Sequence, residues 1–167
     1  MHSGEQHPPD LNIEETREVV LELLAATRRD TRSALSGLEP ELVVHREGPA
    51  WRVRDVLGHL AVWNGEAAKS LRAHARGEEY HCIPSAHYDQ YNAAAAAERG
   101  AWPMARVWAE YEASGDQLKT VIAAMPTERW SGEVLFPWNE RGTVRRLIEI
   151  MMRHEVEHRE VMPEAGG

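Results

Sequence analysis

Apolar residues recur along this chain at steps of three and four, and alternation at period two never extends beyond a few residues. That pattern predicts helices and no strand. In the first segment Ile13, Val19, Val20, Leu23, Leu24, Ala34 and Leu38 form an apolar stripe. Asn12 and Glu15 resemble a capping box at its start, so a helix is expected to about Ser36, where Gly37 and Pro40 end it. Glu39 to Ala50, with Pro40, Gly48 and Pro49, reads as a connection, and His45 as a loop residue within it. A second helix is expected from near Trp51 to about Arg76, with Val53, Val56, Leu57, Leu60, Ala67 and Leu71 as its core face and Gly77 as its stop. His74 in its last turn reads as solvent-exposed and favourable to the helix dipole.

Gly77 to Tyr88 is irregular and holds His81, Cys82 and His87, whose spacing matches no metal-ligand pattern. An alanine run makes Asp89 to Arg99 a short helix, broken by Gly100. Pro103 suits a first helical position, and Met104, Val107, Tyr111, Leu118, Ile122 and Met125 follow at helical spacing to Pro126. Trp130 to Thr143 reads as a connection, with Thr143 capping a last helix from Arg145 to Met162. Four long amphipathic helices and one short one predict an all-α four-helix bundle with a long crossover between the second and third long helices. The expected division is a disordered lead-in over residues 1–11, one bundle domain over 12–162 and a tail over 163–167.

Composition narrows the partners. The 167-residue chain has a formal charge of -8 and a pI near 5.6, with arginines scattered among carboxylates, so it lacks the basic surface that nucleic acid or anionic membrane requires. Cys82 is the single cysteine, which excludes an internal disulfide. No apolar run approaches the roughly 20 residues of a membrane span. A cytoplasmic protein acting on a small molecule is the expectation.

The chemistry concentrates in the last helix. His154 and His158 are one turn apart and share a stripe with Leu147, Met151 and Val161. Two imidazoles on an apolar face need a shared partner, because desolvated polar groups cost free energy unless bonded, and a metal ion is one such partner. Three readings stand side by side: a pair of bonded core histidines, the His-Glu-x-x-His signature of a zinc protease with Glu155 as base, or a site completed from upstream. The protease reading lacks a downstream ligand, since the chain continues only nine residues past His158. Glu155 and Glu157 also point off the histidine face, so neither is assigned as a base. His59 flanks the core stripe of the second helix and, read alone, is a bonded boundary histidine.

The segment Trp51-Arg52-Val53-Arg54-Asp55-Val56-Leu57-Gly58-His59-Leu60-Ala61-Val62-Trp63, joined to the late His154-x3-His158, resembles the DinB-like metalloproteins, including relatives of mycothiol-dependent maleylpyruvate isomerase. The resemblance implies a three-histidine metal site built from His59, His154 and His158, with zinc or nickel as the ion. It implies a metal-dependent enzyme that activates a low-molecular-weight thiol such as mycothiol or bacillithiol, or water, for S-transfer, isomerisation or hydrolysis of a small electrophile. A homodimer is implied by the same resemblance. Trp63, Trp138 and Asn139 are expected as pocket walls. Where the family's second helix often opens with Trp-Ser, this chain has Arg52, which questions the cap. A non-enzymatic bundle that sequesters a small molecule is the alternative.

Overall fold

The computed structural model describes residues 13–45, 50–82 and 87–164, with side chains from residue 16 onward. The proposed Asn12 cap, the lead-in over 1–11, Gly48, Pro49 and the end of the tail lie outside them. Five helices follow in order: α1 (Ile13–Leu35), α2 (Val53–Ala75), α3 (Tyr88–Arg99), α4 (Met104–Ala124) and α5 (Val144–Glu160). The fold is an all-α bundle of α1, α2, α4 and α5, and α3 lies on the crossover. Helix α2 packs most extensively on α4, while α5 contacts both α1 and α2.

The stripe expected of α2 is buried throughout: Val53, Val56, Leu57, Leu60, Ala67 and Leu71 all lose their surface to neighbouring helices. Two apolar clusters result. One gathers Leu35, Val56, Leu60, Val107 and Tyr111, and the other gathers Leu24, Leu71, Leu118, Ile122, Leu147 and Met151. Arg52 does not weaken the start of α2, because Asp55 takes over. Its carboxylate accepts the Arg52 backbone N–H at 2.9 Å and the guanidinium at 2.9 and 3.1 Å. Gly77 closes the helix at φ +75°, with its N–H on the His74 carbonyl at 2.9 Å. Thr143 caps α5 by accepting the Arg146 N–H at 3.0 Å.

Four expectations are corrected. His74 is buried, not exposed, and its Nε2 lies 2.6 Å from the Arg129 carbonyl. Val19 and Leu23 on α1 face solvent, leaving Val20 and Leu24 to carry the contact. On α5 the buried row runs through Val144, Leu147, Ile148, Met151 and Glu155, whereas Val161 is exposed. The connection before α5 contains a short antiparallel pair, Val134–Leu135 against Arg141–Gly142, and a 3-10 turn at Thr127–Arg129. Two residues permit that hairpin. Asn139 adopts φ +65° in its turn, and a Cβ on Gly142 would lie 2.5 Å from the Phe136 ring.

Candidate metal centre

His59 points from α2 toward α5, whose turn at His154 and His158 faces it across the bundle. Nε2 of His59 lies 2.8 Å from Nε2 of His154, and Nε2 of His158 lies 3.1 Å from the same atom. Among the described residues these three form the group whose donor atoms converge as metal ligands do. His81, Cys82 and His87 are not part of it.

The three rings are poorly satisfied by one another. A neutral imidazole offers one N–H and one lone pair, so Nε2 of His154 makes a well-formed hydrogen bond to only one of its two close neighbours. Nδ1 of His154 and Nδ1 of His158 are also buried without a partner. Burial, then the neighbouring imidazoles, pushes His59 down to about 2 and His154 down to about 3; burial, then His45, pushes His158 down to about 4. All three rings are therefore neutral at pH 7 and have lone pairs to give. Nitrogens on one tetrahedral ion at about 2.0–2.1 Å stand about 3.3 Å apart, so the present spacing needs only a few tenths of an ångström of expansion. The residues fit a divalent cation.

His59 and His154 open on a cavity of about 630 Å³, whose walls include Trp63, Tyr88 and Trp138. Both tryptophans expected there line it. Asn139 does not, since it sits in the hairpin turn with its N–H on the Phe136 carbonyl at 2.9 Å. Helix α3 closes one side. Asn92 accepts the Trp63 indole N–H at 2.8 Å and lines the cavity with His59, and the Tyr88 hydroxyl donates to the Trp138 carbonyl at 2.8 Å. Arg146, Arg153, Asp89 and Glu157 also line the cavity. Sequence reasoning missed Asn92 and Tyr88, because an alanine-rich helix without an apolar stripe gave no sign of which face it turns inward.

Glu155 takes no part in the cluster. Its carboxylate is buried and accepts from Thr31 Oγ1 at 2.8 Å, Asn64 Nδ2 at 3.0 Å and the Tyr111 hydroxyl at 3.1 Å. This carboxylate joins α1, α2, α4 and α5 in one polar layer and faces away from the cavity. The His-Glu-x-x-His string therefore has a structural acid where a protease needs a base within reach of water.

The family model of the DinB superfamily matches residues 23–162. The chain belongs to the DinB superfamily. Among solved structures, a crystal structure of mycothiol-dependent maleylpyruvate isomerase is similar with a TM-score of 0.75 at 16% identity, and a histidine-to-alanine mutant of that protein with 0.74 at 15%. Each alignment covers 92% of this chain and 64% of the other, so this DinB chain spans less than two thirds of the length of those structures. At such identities the likeness is one of fold. No curated protein matches the sequence. Among the described residues no helix is long and apolar enough to cross a membrane.

Proposed function

We propose that this DinB protein is a metal-dependent enzyme in which His59, His154 and His158 hold a divalent cation at the inner end of the cavity. The observation that supports the reading is the convergence of three neutral Nε2 atoms, 2.8 and 3.1 Å apart, on one point that no protein donor satisfies. A cation on three imidazoles keeps open positions and supplies Lewis acidity, which holds a thiol or water deprotonated near neutral pH.

The chain's own groups do the rest. Trp63, Tyr88 and Trp138 offer apolar walls that exclude water from a small electrophile. Asn92 fixes the Trp63 indole, so that wall is held by helix α3. Arg146 and Arg153 supply positive charge along the approach.

The nucleophile is a low-molecular-weight thiol such as mycothiol or bacillithiol, or water, and the reaction is S-transfer, isomerisation or hydrolysis. The thiol reading draws on the mycothiol dependence of the similar isomerase. Zinc or nickel as the ion, a cytoplasmic setting and pairing of two copies accompany this reading as expectations from the family resemblance.

Metal analysis of protein purified without added metal tests the first half. The wild type should retain close to one equivalent and His154→Ala essentially none, and equal occupancy overturns the site. Thermal shift with mycothiol and bacillithiol tests the second, since a ligand that binds the native state raises the midpoint. No shift with either thiol at millimolar concentration removes the thiol and leaves water. Stoichiometric capture without turnover identifies a sequestering protein instead of an enzyme.

A further inference from the structure

His45 lies outside the three-histidine group, in the connection between α1 and α2. Its backbone N–H donates to the Trp51 carbonyl at 3.2 Å, and Val44 donates to the same oxygen at 2.9 Å. The residue that anchors His45 also covers the metal cluster. The Trp51 ring lies 4.7 Å from His59 between centroids and stacks on His158 at 6.4 Å with 26° between planes. Within that frame the His45 ring stands edge-on to His158, 5.4 Å away at 69°.

Two polar atoms in these adjacent rings have no partner. Nε2 of His45 is buried and unbonded, and so is Nδ1 of His158. His158 directs its Nε2 toward the cluster. A ring that gives its Nε2 lone pair to a cation carries its proton on Nδ1, and a buried N–H there requires an acceptor to hold tautomer and orientation. Among the described residues no carboxylate or carbonyl meets that Nδ1, whereas Nε2 of His45, in the tautomer with its proton on Nδ1, is an acceptor of the right kind. Ring centroids 5.4 Å apart, with neither nitrogen bonded to the other, suit a bridge across one water.

We propose that His45 is a positioning residue of the metal centre: its Nε2 accepts the Nδ1–H of His158 through a single water, and so fixes that ligand. This rests on the metal-site reading given above.

The test is titration of the metal-free full-length protein with Co2+, followed by its visible absorption, together with ring N–H resonances of the Zn2+-loaded protein. His45→Phe keeps a ring of similar size but no acceptor. It should weaken Co2+ binding by roughly 10–100-fold and abolish the slowly exchanging Nδ1–H resonance of His158. His45→Gln, whose amide oxygen accepts, should recover most of the affinity and the resonance. A His45→Phe protein with wild-type affinity and an unchanged His158 resonance overturns the proposal while leaving the metal site intact. So does a His45→Gln protein as weak as His45→Phe. Wild-type protein that takes up no Co2+ removes the metal site itself, and the role of His45 with it.

Discussion

Nε2 of His59 on α2 and Nε2 of His154 on α5 approach to 2.8 Å although 95 residues separate them in sequence. Each ring is mostly desolvated, and neither gains a charge from the other at neutral pH. Such a contact is maintained by the helices that carry it and is not a source of stability in its own right. Removing one ring should therefore cost metal and little else. His59→Ala, His154→Ala and His158→Ala are each expected to lose bound metal, while the urea midpoint of the metal-free protein stays within experimental scatter or rises. A large loss of metal-free stability in all three would show the rings to be core residues.

Glu155 is expected to behave in the opposite way. Its carboxylate accepts three donors from three helices, and Gln offers one oxygen and places an NH2 among groups that donate. Glu155→Gln should destabilise the fold by about 2–4 kcal/mol with the metal retained. Denaturant unfolding alongside metal analysis decides it, and a Glu155→Gln protein of wild-type stability that is catalytically dead would restore the protease reading.

The three imidazoles also set a pH dependence. Their folded values lie at about 2, 3 and 4, below the ordinary value of 6.5, so the unfolded chain binds more protons than the folded one as pH falls. The contribution is complete above about 6.5 and is lost progressively below it, down through the folded values. The metal-free protein should lose stability between pH 7.5 and 5, a window above most carboxylate titration, and a His154→Ala/His158→Ala variant should lose less. Parallel pH profiles for the two proteins would remove the imidazoles as the cause.

Helix α3 buries no residue of its own and is held by polar contacts such as Trp63 to Asn92 and Tyr88 to Trp138. Trp63→Phe leaves the Asn92 carbonyl oxygen without its donor, at a cost of about 1–2 kcal/mol. Amide hydrogen exchange should quicken across residues 88–99 and stay unchanged in α4. Uniform exchange throughout would mean that α3 does not depend on this bond.

How far the sequence could be read follows from which signals are periodic. The faces of α2 and α4 were legible because their apolar residues recur at helical spacing and face a single core. The histidine pair on α5 was legible for the same reason, but the stripe proposed through His154, His158 and Val161 was rotated from the true buried row. That row continues through Glu155, whose charge disguises a core position until Thr31, Asn64 and Tyr111 are seen around it. Trp63 and Trp138 were found as aromatic residues near the expected site. His45 and Asn92 reach the cluster from a loop and an alanine-rich helix, where no periodicity points inward, and only the tertiary arrangement reveals them.

One turn of α5 thus answers to two neighbours at once: Glu155 keys into the interior layer while His154 and His158 turn toward His59 on α2. The carboxylate indexes the rotation of the whole helix, so the aim of both imidazoles is set by a residue that takes no part in their cluster. Inserting a single residue between Met151 and Glu155 would turn everything beyond it by about 100° and misdirect key and imidazoles together. Folding and chemistry share the same screw thread here, and neither can be retuned without the other.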